Sequence, residues 1–393
     1  MSITSTNYSD ISYVAEVTAG TTPATPAFQL LPTTGGSPMS NLTTAVSEVI
    51  RSDRMIDDLI VVDSEVSGDI NYELSYAPYK PLIDACLRND TPTTVAIAAA
   101  SDIVMSNTNS EITSTTTDFS AAGIVAGMFF RVSGAALDAA NNGIYKVTSV
   151  TDANTLVVDP APNSDQVAEA SVDIDAIHNK NSNDAASTFT FCKRIQGIAA
   201  PAYYYYRGCA ISNMSFNFNT GEILTGGLSL FGRTEEATET GISGQSYVAV
   251  PSYDLMNAVQ SVVSINVSGL PAATEFSSLT LNLNNNTTGA KAIGTLGSVD
   301  VTDFTFEATG DISLYFEDLN AYNAYQNSTS FALDLTLQDA TGNNIIISMP
   351  KCKFETLEAP IDGKDSFLML SGTFRALRDE TQNSMVEVTF IPA

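Results

Sequence analysis

Apolar and polar residues alternate with a period of two over most of this 393-residue chain. Segments such as "SFNFNTGEILTGGLSLFGR", "SVVSINVSGL", "SLTLNLNNNTTG" and "NIIISMPKCKFETL" set Thr, Val, Ile, Phe and Tyr between Gly, Asn and Asp. Successive side chains of a strand point to opposite faces, so this pattern builds half-buried strands. The expected fold is mainly β. "FNTGEI" and "DGKD" (362–365) read as hairpin turns. Only two stretches change period, 76–89 and 318–327, and both read as short helices. In the first, Pro78 and Pro81 fall in the opening turn, where a missing N–H costs nothing. Tyr79, Leu82, Ile83, Cys86 and Leu87 then form one apolar stripe, suited to plugging one side of a β-core.

The composition removes several classes of function. The formal net charge is −27, from 17 Lys and Arg against 44 Asp and Glu, so the surface repels nucleic acid. His178 is the one histidine and reads as a solvated loop residue in "DAIHNKNSND". A single histidine builds neither a multi-histidine metal site nor a catalytic triad. Cys86, Cys192, Cys209 and Cys352 lack CxxC spacing and read as buried free thiols. No phosphate-binding glycine motif or EF-hand spacing occurs. We therefore expect no enzyme, no metal and no cofactor. No run approaches the roughly 20 apolar residues that cross a bilayer, and the first residues lack the basic and apolar regions of a secretory signal. "YYYY" (203–206) reads as a strand packed in a core or interface.

One phrase occurs twice. "SGDI" at 67–70 and "TGDI" at 309–312 each run into a short helix, at an offset of 310 − 68 = 242. "CAISNMSF" at Cys209 and "CKFETLEA" at Cys352 share an apolar pattern at an offset of 352 − 209 = 143. The strands that follow end in Arg233 and Arg378. The difference, 242 − 143 = 99, has a simple meaning: the same domain stands in both halves, and the first copy carries about a hundred extra residues. The expected layout is a split first domain (1–91 with 187–250), an inserted small β domain (92–186) and a second domain (251–393). The stretch around Pro251 is the expected linker. The insert reads as three strands, 128–133, 143–150 and 155–159.

The run "SEVIRSDRMIDDLIVVDSEVSGDINYELSYAPYKPLIDACL" (47–87) resembles the major tail tube proteins of long, non-contractile-tailed bacteriophages. The positions that carry the likeness are Arg51, Ser52, Arg54, Asp58 and Leu59, then Ser67, Gly68, Ile70, Glu73, Leu74, Ser75 and Tyr79. The resemblance implies a β-sandwich with a flanking helix, assembled as stacked rings into a tube that conducts DNA in a virion tail. Here that means two tandem β-sandwich tube domains. Six domains to a ring would take three such chains, a trimer with pseudo-sixfold symmetry. The implied partners are other copies of the chain and the tail tip, terminator and tape measure proteins. DNA would pass without specific binding, no membrane is involved, and assembly takes place in the host cytoplasm. An acidic lumen suits phosphate passage, and Asp69, Glu73 and Asp311 are its expected residues. The loop 51–65 mixes charges with apolar residues that a free loop does not need. Arg51, Arg54, Met55, Ile56, Asp58, Leu59 and Ile60 are its expected contacts with the next subunit or ring. The insert is expected outside the tube. Rival readings are another ring-forming virion protein (terminator, tip or decoration protein) and a secreted β-domain adhesin.

Overall fold

The structure, a computed structural model, describes residues 4–89, 91–134, 138–169, 171–251, 254–271, 274–361 and 363–393. It is mainly β, and its two α-helices are α1 (Lys80–Cys86) and α2 (Asn320–Gln326). Apart from one two-stranded ribbon, the strands form a single hydrogen-bonded network. The stripe on α1 is buried as expected, and Pro81 lies in its first turn. The turn after Asn219 joins two paired strands, whereas Asp362 of the second expected turn lies outside the described residues.

The backbone of the fold is a continuous antiparallel sheet. Its strands run in the order Met39–Val46, Leu59–Glu73, Thr225–Gly232 and Ala202–Asn219, then Phe276–Asn284, Glu307–Tyr315, Met369–Ala376 and Asn344–Glu358. The second four follow the first four in kind. Asp69 faces Ser229 and Asp311 faces Thr373. Ile211 faces Leu230 across a bulge from Asn213, and Phe354 faces Phe374 across a bulge from Thr356. The offsets are 311 − 69 = 242 and 354 − 211 = 143, the values read from the sequence. The arginine correspondence does not hold. Arg233 N–H donates to Arg207 O (2.9 Å) and Leu377 N–H to Lys351 O (2.7 Å), so Leu377, not Arg378, stands where Arg233 does.

Glycines in this sheet sit under rings. Gly226 faces Tyr72 and Gly310 faces Phe374. A Cβ on either would lie 2.5 Å from the facing ring, so only glycine lets the aromatic lie flat across the strand.

The long strands Ala202–Asn219 and Asn344–Glu358 pair into a second layer with their first halves. One second layer contains Ser9–Ala15, Phe189–Ile195 and Thr234–Thr238, and the other Val262–Val267, Phe331–Gln338 and Glu387–Ile391. One apolar cluster runs through both halves, from Ile11 to Phe390, so the two expected domains share a core. The expected linker is part of that core. Met256 is fully buried, with its N–H on Leu74 O (3.1 Å) and its carbonyl accepting from Leu224 N–H (2.9 Å). Tyr205 and Tyr206 are both buried, one on each face of their strand. All four cysteines are free and buried, and burial pushes the thiols of Cys86, Cys192 and Cys352 up to about 12.

After α2 the chain enters the strand Phe331–Gln338 almost at once, whereas after α1 it first builds a separate β unit with its own core between Val95 and Ala176. The three expected strands appear as Phe129–Gly134, Gly143–Asp152 and Thr155–Asp159. Others, among them Thr93–Ala100 and Val172–Lys180, complete the unit. Strand Val172–Lys180 pairs with Glu387–Ile391 and fastens the unit to the second layer of the second half.

His178 lies in that fastening strand and is 4% exposed, not in a solvated loop. Its Nδ1 meets Thr389 Oγ1 at 3.0 Å, and Nε2 is 3.8 Å from the Glu387 carboxylate. Burial holds His178 down, to about 4, and pushes Glu387 up. Because the folded value for His178 lies below the ordinary 6.5, the unfolded chain takes the proton first. This contribution is present above pH 6.5 and is lost as the pH falls toward 4. Its full size is about 3 kcal/mol. Glu387 acts oppositely, gaining stability as the pH falls through its raised value, and so offsets part of the histidine's loss. Denaturant unfolding of the wild type at pH 7 and pH 5 is expected to show this loss, and His178→Gln to lose less over the same interval. Equal losses would remove His178 as the cause.

Candidate functional surface

The two faces of the long sheet differ in kind. Ile70, Tyr72 and Leu74 lie on one face with Leu228, Met214, Leu281, Ile312 and Phe374, and all are buried. The register carries Asp69, Asn71 and Glu73 to the other face. There they align with Ser229, Asn213, Asn284, Thr280, Asp311 and Thr373. This face is polar across the middle of every strand, with Phe231, Tyr315 and Met369 at strand ends. Asp69 and Asp311 are exposed and Glu73 half-buried. Ser229 Oγ donates to Asp69 (2.6 Å) and Thr280 Oγ1 to Asp311 (2.8 Å). The three residues expected to share a surface do share one.

Further carboxylates lie there that sequence reasoning did not single out. Glu307, Glu355 and Glu358 are on the second half of the face, where Glu307 and Glu355 hold Arg375. Strand parity from Asp311 would have found Glu307; the bulge before Thr356 hides Glu355. The face carries few cations, Arg375 and Lys353 near its far edge, so its field is negative. Among the described residues, no group of three or more His, Cys, Asp or Glu could hold a metal ion, and no helix is long and apolar enough to cross a membrane.

The loop 47–58 closes a hairpin between Met39–Val46 and Leu59–Glu73 that extends past the sheet. Arg51 pairs with Asp53 and Asp57, and Arg54 sits at a left-handed turn (φ 64°). Asp58 is exposed, and Met55, Ile56, Leu59 and Ile60 are 67%, 74%, 58% and 55% exposed. None of them packs in the chain's own core. Each such side chain left in water forgoes about 1.5–3 kcal/mol of burial.

The corresponding ribbon of the second half behaves differently. Its strands Thr288–Lys291 and Ser298–Thr302 fold back over the first half, where Lys291 meets Asp63 and Glu65, and Arg233 meets Asp300. The sheet also ends in two open edges. Among the described residues, Met39–Val46 has a strand partner on one side only, and so do residues 353–358.

The family described as Phage tail tube protein matches residues 6–376. No protein with a curated description matches the chain.

Proposed function

This chain belongs to the phage tail tube protein family, and from that premise we propose that three copies close into a ring that stacks into the tail tube. The role is structural, in the virion tail, and the rings are those of a long non-contractile tail. The observation that carries the proposal is the continuous sheet. It repeats a four-stranded unit in one register, is polar on one face, and is open at both edges. Three chains would supply six units around one axis. The polar face would line the lumen, with Asp69, Glu73 and Asp311 toward the passing DNA. A surface of carboxylates and hydroxyls lets phosphates slide by without holding them. The hairpin loop with Met55, Ile56, Leu59 and Ile60 would find its cover on the next subunit or ring. The inserted unit pairs with the second layer, across the core from the polar face, and in the ring would stay clear of the channel. We read the chain as a duplicated tube domain, with residues 92–186 inserted in the first copy, and as a partner of tip, terminator and tape measure proteins.

Electron microscopy of the concentrated protein tests this. Long hollow tubes with threefold modulation in end view are the expected result. Single closed rings would assign the chain to a terminator or tip ring instead. Monomers, together with absence of the protein from the tail shaft of virions, would sink the tube reading.

A further inference from the structure

The joint between the two halves of the chain is itself a finished interface, and its parts have counterparts at the chain's open ends. Strand 213–219 pairs with 278–284, Asn213 opposite Asn284. Just beyond, Asn285 N–H donates to Ser212 O (2.8 Å), and its Nδ2 donates to Cys86 O (3.0 Å) and Ile211 O (3.1 Å). Arg88, at the end of α1, donates to Ile211 O (3.0 Å) and grips Asp303 with two nitrogens.

The repeat fixes where each counterpart lies. On the receiving side, Ile211 and Asn213 map to Phe354 and Thr356 at the offset of 143. Arg88 and Ser328 both follow their helices at left-handed φ (54° and 51°), so Arg88 maps to Ser328. On the entering side, Met39 faces Ser67 as Asn282 faces Thr309, an offset of 282 − 39 = 243. Asn284 and Asn285 therefore map to Asn41 and Leu42. Asp303 maps to Val61 by 303 − 242 = 61.

These counterparts are open and chemically matched. Where the receiving side exchanges Arg88 for Ser328, the entering side exchanges Asp303 for Val61, so the ion pair is lost from both sides at once. Asn285 likewise becomes Leu42. Leu42 is 59% exposed and Val61 43% exposed. At the end of α2 the counterparts of Ala85, Cys86 and Ile211 are Tyr325, Gln326 and Phe354, which are half-buried or exposed where Ala85, Cys86 and Ile211 are buried.

Building on the tube reading above, we propose that a second copy of this chain docks head to tail on this edge. Its 39–41 segment pairs with 356–358, Asn41 opposite Thr356, and its Leu42 and Val61 pack against the end of α2 beside Phe354. The Leu42 N–H takes the role of Asn285 N–H and donates to Glu355 O. The Ser40 N–H, held by the Glu235 carboxylate in the free chain (2.6 Å), passes to Leu357 O. Each chain carries both ends, so the contact is heterologous, and a rotation of one third of a turn per chain would close it into a ring of three.

Cysteines placed at Asn41 and Thr356 test the register. Residues 40 and 42 direct their N–H groups outward, so 41 opposite 356 is a non-hydrogen-bonded pair. Its close Cα spacing suits a disulfide. The native cysteines are all buried and do not compete. Oxidised tubes of Asn41→Cys/Thr356→Cys are expected to give a disulfide-linked ladder ending at the trimer. Leu42→Cys/Thr356→Cys, one residue out of register, is expected to give at least ~10-fold less product. If the double variant does not assemble, an equal mixture of the two single variants supplies the same readout as a dimer. In a second arm, Leu42→Asp is expected to raise the concentration needed for assembly at least ~10-fold, as the lost burial of one leucine implies. The melting of the free chain should not change. Tubes that form without the 41–356 crosslink would overturn this docking and leave the tube reading standing. Wild-type protein absent from any tube or tail shaft would overturn the tube reading itself.

Discussion

Replacing Arg88 with alanine is expected to cost about 3 kcal/mol of folding stability, the low end for breaking a buried ion pair. Arg88 is 5% exposed. Its guanidinium donates to Ala85 O (2.6 Å), to Ile211 O (3.0 Å) and to both oxygens of Asp303. It thereby ties α1 and the first half of the sheet to the ribbon base of the second half. Removing it strands the Asp303 carboxylate, 20% exposed, with Thr287 Oγ1 (2.6 Å) as its remaining donor. That residual exposure and donor place the loss at the low end. The φ of 54° burdens arginine and alanine alike, so the comparison isolates the pair. Denaturant unfolding measures it as a shift in midpoint at constant slope. Arg88→Met with Asp303→Leu should recover most of the loss, because the cost lies in the orphaned charge. A loss below about 1 kcal/mol for Arg88→Ala would mean that water reaches Asp303 and the halves are joined by strand pairing and apolar contact alone.

What the sequence revealed was local. Period-two runs and hairpin chemistry gave the strands, and an early proline with an apolar stripe gave α1. The offsets 242 and 143 reappear in the strand registers because a repeated domain repeats its bulges as well as its residues. Long-range information was missing. Nothing in "NMSFNFN" says that it pairs with "SLTLNLN" across the two halves, so the shared core was not foreseen. Arg88 stands at the end of a helix pattern, and no local pattern points to its partner 215 residues away. His178 sat among Asn, Asp and Lys, yet alternate residues Val172, Ile174 and Ala176 are buried and continue to it. That parity was present in "VDIDAIHN" and outvoted by composition. The strand "TTVAIAAA" was passed over because alanine and threonine carry a weak alternating signal. The surface carboxylates Asp69, Glu73 and Asp311 were readable because parity alone decides which face a strand residue takes. In the proposed ring the cover of the hairpin loop belongs to another chain, which no single sequence shows.

Exchanging Asp69 and Asp311 for lysine is expected to leave tubes intact and to slow DNA passage. Both residues are exposed, and each accepts one hydroxyl hydrogen bond, so the folding cost should stay within about 0.5 kcal/mol per site. They occupy equivalent positions of the repeat. In the proposed ring they fall at one height, and two sites in three chains with a change of two charges each shift the lumen by about 12 charges per ring. DNA presents one phosphate charge per roughly 1.7 Å, so lysines in the wall would capture it with counterion release. Ejection from virions carrying the variant should slow at least ~10-fold at 50 mM salt and recover toward the wild-type rate at several hundred millimolar, where the Debye length falls below about 6 Å. Asp69→Asn with Asp311→Asn removes repulsion without adding attraction, so it should fall between the two and show a weaker salt dependence. If these side chains faced outward, virions of the lysine variant would eject at the wild-type rate at every salt concentration. A slow but salt-independent rate would point to an altered tube geometry. Only slowing that salt reverses places the carboxylates against the moving phosphates, because attraction between fixed charges and DNA is the one effect among these that screening abolishes.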